Sequence, residues 1–79
     1  MNIKKFLNNL LYFASMYADG GETEMVRMTI EQARGAIDFC HFERVIGCEQ
    51  TEDIYEYWEN EMFPLFLAEY GRACEAERI

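Results

Sequence analysis

The chain has 79 residues, a formal net charge of -8, 51% hydrophobic residues and 15% aromatic residues. That length supports one domain, spanning residues 1–79, whose folding buries only about 60 to 65% of the surface the unfolded chain exposes. Apolar residues that recur with helical spacing speak against disorder despite the charge, and 7 basic against 15 acidic residues is the reverse of the footprint of a nucleic-acid-binding domain.

The first predicted element has the clearest period. Ile3, Phe6, Leu7, Leu10, Phe13, Ala14 and Tyr17 follow steps of three and four, while Lys5, Asn8, Asn9, Tyr12, Ser15 and Asp19 lie mostly on the other side. This spacing predicts an amphipathic helix of about 16 residues. Gly20 and Gly21 end it, because glycine accepts the left-handed conformation that closes many helices. Asn8 and Asn9 interrupt the apolar run, so neither a signal peptide nor a membrane span is expected, the latter needing about 20 predominantly apolar residues.

In the second element Val26, Ile30, Ala33, Ile37 and Cys40 form one stripe, which predicts a helix from roughly Glu24 to Ile46. Thr29 and Gln32 have the spacing of a capping box, which would instead start the helix at Ile30. Gly35 within it costs about 1 kcal/mol relative to Ala, and the expected reason is close approach of a neighbouring helix or ring. Gly47 supplies the stop.

Thr51 is placed to cap a third helix, with Glu52 and Asp53 in its first turn where the helix dipole favours negative charge. Tyr55, Trp58, Met62, Leu65 and Phe66 form its expected apolar face. Pro64 lacks an N–H and disfavours the helical conformation at Phe63, so the helix is expected to kink or break there. A kink is preferred, since no good capping residue precedes Pro64. Short connections imply antiparallel neighbours, and the expected architecture is an all-α, small antiparallel three-helix bundle.

Between Val45 and Gly71 the chain carries Glu49, Glu52, Asp53, Glu56, Glu59, Glu61 and Glu69, and no Lys or Arg. The spacing of Glu49, Glu52, Glu56 and Glu59 would project them from one helix face, with Cβ atoms about 5 to 6 Å apart. Each like-charge pair destabilises an isolated helix by about 0.2 to 0.5 kcal/mol, so a purely structural face would more naturally intersperse cations. The spacing is of the same order as that of phosphates along a nucleic-acid strand. The alternative is a solvated face that maintains solubility. Among the interleaved aromatics Trp58 is expected in the core. Tyr57 is either a recognition residue, giving contact area at low entropic cost, or incidentally exposed, and Tyr12 stands likewise on the first helix.

Catalytic and cofactor motifs are not found. The chain lacks a phosphate-cradling glycine loop, G-x-S-x-G, H-E-x-x-H and the Glu-x-x-His repeats of di-iron bundles. Cys40, His41, Cys48 and Cys74 include metal-ligand types but no C-x-x-C pair; Cys40 and Cys74 are read as small apolar residues and His41 as a surface residue beside Asp38. No enzyme activity, cofactor or metal is therefore expected. Three cysteines at irregular spacing fit a reducing cytoplasm better than a disulfide framework. Arg27, Arg34 and Arg44 are interleaved with Glu31, Asp38 and Glu43, which points to ion pairing.

With its short single domain, negative balance and acidic-aromatic segment Glu49–Glu61, the chain resembles in profile the small acidic proteins of phages and mobile elements, of the anti-CRISPR type. The likeness covers no motif, and because such proteins are mutually unrelated it transfers no residue roles. It implies an inhibitor. The expected function is a non-enzymatic protein that binds and blocks a basic nucleic-acid-binding protein by imitating nucleic-acid charge. Its expected contact residues are Glu49, Glu52, Asp53, Glu56, Tyr57 and Glu59. The alternative is a homo-oligomer, a homodimer in the simplest case, that buries an aromatic-rich face.

Overall fold

A computed structural model describes residues 2–43 and 54–77, and in them the chain forms the all-α three-helix bundle that its periodicity predicts. Helix α1 spans Ile3–Asp19 and α2 spans Thr23–Glu43. The third helix, α3, joins an α-helical turn at Ile54–Tyr57, a π-helical segment at Trp58–Met62 and an α-helical run at Phe63–Glu77. The chain therefore runs up, down and up, with α1 and α3 parallel and α2 antiparallel to both. No helix among the described residues is long and apolar enough to cross a membrane.

Asn2 opens α1. Its side-chain oxygen accepts the Lys5 N–H at 3.0 Å and its carbonyl accepts the Phe6 N–H at 3.1 Å, which supplies partners at a helix end that otherwise lacks them. Ile3, Leu7, Leu10, Ala14 and Ala18 face inward. Phe13, expected on that stripe, is instead half exposed, because it lies at the edge of the stripe and leans over the groove towards α2. At the other end Gly21 has φ 71°, the Glu22 N–H donates to the Tyr17 carbonyl at 3.0 Å and the Gly21 N–H donates to the Ala18 carbonyl at 3.0 Å. This is the two-bond closure that a left-handed residue permits.

Helix α2 takes the earlier of its two predicted starts. The Glu22 carbonyl accepts the Val26 N–H at 3.1 Å, and Thr29 is no cap: its buried hydroxyl donates back to the Val26 carbonyl at 2.6 Å inside the helix. Val26 is fully buried, so the segment before Thr29 reaches the core only by being helical, and that burial outweighs the local capping pattern. The expectation for Gly35 also fails within the monomer. Gly35 is exposed, and among the described residues a Cβ added there meets nothing within 4 Å.

In α3 the inward residues are Ile54, Trp58, Met62, Phe66 and Ala73. Steps of four advance around an α-helix by about 40° each, so the stripe from Ile54 to Phe66 would wander off its face by about 120° in a regular α-helix. The π turn at Trp58–Met62 takes more residues per turn and draws the stripe back onto the core. Its bond runs from the Phe63 N–H to the Trp58 carbonyl, next to Pro64, the residue that cannot contribute an N–H. Leu65, expected inward, is half exposed, displaced to the outside by this change of winding.

Polar contacts tie the helices together. The Arg72 guanidinium on α3 donates to Asp19 Oδ1 at 2.7 Å, to Glu69 Oε2 at 2.6 Å and to the Ser15 carbonyl at 3.2 Å. The hydrogen bonds it donates to Asp19 and then to Glu69 raise its pKa above an already high ordinary value. At the same end the Thr23 hydroxyl donates to Glu77 at 3.1 Å. Towards the other end the Tyr55 hydroxyl donates to Asp38 at 2.6 Å, and the Arg34 guanidinium lies 5.1 Å from the Tyr55 ring centre and 3.5 Å from Asp38. Arg27 pairs with Glu24 at 2.8 Å, so the described arginines of α2 serve ion pairs within their own helix, as interleaving suggests.

Candidate functional site: the acidic flank of the third helix

Of the six residues expected to contact a partner, Glu49, Glu52 and Asp53 lie outside the described residues, as do the Thr51 cap, Gly47, Arg44, Cys48 and the side chains of Cys40 and His41. Glu56, Tyr57 and Glu59 sit on α3 beside its inward stripe. Ile54, Trp58 and Met62 alternate with them and are buried, Trp58 being only 2% exposed. Trp58 packs on Phe63 and on Phe66 with ring centroids 5.4 Å apart in each pair, a geometry worth about 0.5 to 1.5 kcal/mol per pair beyond burial. The acidic side chains are thus carried by a helical segment whose opposite side is fixed in the core.

Glu56, Glu59 and Glu61 are all exposed. Among the described residues neither Glu59 nor Glu61 forms an ion pair, whereas the carboxylates at the far end, Asp19 and Glu69, are held by Arg72. Tyr57 is placed differently from Glu59. It is half buried against the core, and Lys4 Nζ of α1 lies 4.7 Å from its ring centre, a cation–π contact. Tyr57 therefore turns to the α1 flank of α3 and Glu59 to the α2 flank, as a separation of two residues on a helix requires.

The α2 flank contains a cleft of about 330 Å³ lined by Ile30, Glu31, Arg34, Trp58, Glu59 and Phe63. Its apolar residues are Trp58, Phe63 and Ile30, and its charged residues are Glu31, Glu59 and Arg34, two carboxylates against one guanidinium. The π segment contributes both Trp58 and Glu59 to it. Such an arrangement accepts a long side chain with an apolar stem and a cationic head, the shape of Lys or Arg. Sequence reasoning finds Glu59 but misses Ile30, Glu31, Arg34 and Phe63, since their meeting depends on how α2 and α3 pack. Three or more His, Cys, Asp or Glu side chains do not converge on a metal-sized site among the described residues. Cys74 is a half-buried free thiol. Comparison with protein-family models, with curated proteins and with solved structures returns no match to this chain.

Proposed function

We propose that the protein is a non-enzymatic cytoplasmic inhibitor that occupies the basic surface of a nucleic-acid-binding protein through the acidic flank of α3 and the acidic residues preceding it in sequence. The observation that supports this reading is the state of the described carboxylates. Glu59 and Glu61 are exposed and form no ion pair with a described residue, on a segment anchored by Ile54, Trp58 and Met62. A buried anchor fixes the backbone that carries the carboxylates, and a backbone ordered in advance lowers the ordering cost of binding a complementary surface. Glu52, Asp53, Glu56 and Glu59 supply the charge in this scheme. The cleft of Trp58, Phe63, Glu31 and Glu59 receives one cationic side chain of the partner.

The test is affinity capture from a lysate of the source cells, with the wild-type chain and a variant reversed at Glu52, Glu56 and Glu59 (each →Lys) immobilised side by side. Nucleic-acid-binding proteins are expected on the wild-type matrix, released as salt is raised, and absent from the variant. Equal capture by both would remove these carboxylates from the site.

A further inference from the structure

The opposite side of the bundle has the reverse character. Between Lys5 and Asp19 helix α1 carries no charged residue, and its outer line presents Tyr12, 65% exposed, and Met16, 52% exposed. Phe13 forms an edge-to-face contact with Tyr12, with ring centroids 5.9 Å apart. Phe13 also meets Met25 and Met28 of α2 across a recess of about 150 Å³ between the two helices. Met28, Gln32, Gly35 and Phe39 continue one line along α2 at steps of four, three and four. Of the described charged residues of α2, Glu31 and Arg34 line the acidic cleft and Asp38 accepts the Tyr55 hydroxyl, all towards α3, while Arg27 pairs with Glu24 of its own helix.

We infer that this neutral, Met- and aromatic-rich face of α1 and α2 is an isologous interface through which two copies of the chain associate. Charge selects the occupant. Two chains of net charge -8 repel one another wherever carboxylates would meet, and placing α1 and α2 of one copy on α1 and α2 of the other keeps the acidic flank of α3 on the far side of each. A basic partner finds its complement on α3, whereas Tyr12, Phe13, Met16, Met28 and Gln32 offer it no charge. Area is consistent with a second copy: α1 is about 25 Å long and two adjacent helices present a width of about 20 Å. That gives about 500 Å² per copy, or about 1,000 Å² in total, the lower bound for a specific interface.

Gly35 is an independent pointer. It costs about 1 kcal/mol inside a helix, and the space beside its Cα is open among the described residues. A bare backbone on the line between Met28 and Phe39 lets a neighbouring helix come close. The dimer leaves the acidic flank of α3 accessible on both copies, so this inference stands apart from the proposed function.

Sedimentation velocity of the full chain at low and high micromolar concentration, at two salt concentrations, tests the interface. The mass is expected to rise towards twice the monomer value with concentration, and more readily in high salt, which screens the repulsion. Tyr12→Glu and Met16→Glu, both at exposed positions, should raise the dissociation constant about tenfold or more while leaving the helical circular dichroism unchanged. Leu67→Glu, at an exposed apolar residue of α3, should leave it unaltered. A monomer at every concentration, or a loss of association with Leu67→Glu as large as with Met16→Glu, would overturn the inference. So would association that weakens with salt, which is the signature of a charged contact.

Discussion

One chemical change, glycine to alanine, should act with opposite sign at two places in this bundle. Gly21 has φ 71°, and holding a residue with a Cβ in the left-handed region costs about 1 to 2 kcal/mol. The reduced freedom of the unfolded Ala chain returns about 0.4 to 1 kcal/mol. The new Cβ would also stand 3.2 Å from the Glu77 backbone nitrogen and 3.4 Å from the Ala76 carbonyl carbon, so the end of α3 must move by a few tenths of an ångström. Gly21→Ala should therefore destabilise by about 1 kcal/mol before that contact is counted, and by more with it. Gly71, exposed in the interior of α3, meets nothing within 4 Å among the described residues, and Gly71→Ala should stabilise by about 1 kcal/mol through helix propensity alone. The two variants should thus differ by about 2 kcal/mol, which for a domain of this size is about 8 to 16 °C in Tm. Thermal and urea denaturation followed by circular dichroism would measure the split. Gly20→Ala serves as the control, because Gly20 has φ -91° and its nearest neighbour lies at an ordinary 3.5 Å. If Gly21→Ala behaved like Gly20→Ala, the account of how α1 closes against the end of α3 would be wrong.

Three further outcomes are expected. Trp58→Ala removes a buried ring that packs on Phe63 and Phe66 and should cost about 3 to 5 kcal/mol, a large share of the stability of a small domain; an unchanged urea midpoint would contradict the core assignment. Tyr55→Phe removes the hydroxyl that donates to Asp38 at 2.6 Å and should cost about 0.5 to 1.5 kcal/mol, with the far-ultraviolet spectrum intact. Arg72→Gln should lower the urea midpoint by separating α3 from Ser15 and Asp19, and the loss should shrink in high salt. Because the Arg72 pKa is raised in the folded state, its contribution is fully present below the ordinary arginine value and fades only above it. The difference from wild type should therefore be the same at pH 6 and pH 9, and a difference that vanished at the higher pH would refute the assignment.

The residues fixed by local rules were readable from the chain. The apolar spacing of α1, the glycine pair that closes it, the inward position of Trp58 and the continuity of the third helix past Pro64 all follow from nearest-neighbour chemistry. Where local and tertiary preferences compete, the tertiary term decides. Thr29 has a capping pattern, yet burial of Val26 draws the segment before it into the helix and the Thr29 hydroxyl turns to a carbonyl instead. Leu65 has the right spacing for the core only if the helix winds at a constant rate, and the π segment changes that rate. The acidic content of α3 was plain, but the cleft joining Glu59 to Glu31 and Arg34 was not. Nor was the turning of Tyr57 towards Lys4. Both depend on which helix packs against each flank, information that no local spacing holds.

The central claim is that the acidic flank of α3 meets cations of another molecule. Its most direct test is the affinity for an arginine-rich peptide, followed through the fluorescence of Trp58 and titrated at several salt concentrations with the wild-type chain and with Glu56→Lys/Glu59→Lys. Binding by the wild type that weakens steadily with salt, with a tenfold or larger loss in the variant (about 1.4 kcal/mol or more), is the expected result. Equal affinity of the two proteins, or binding indifferent to salt, would contradict it.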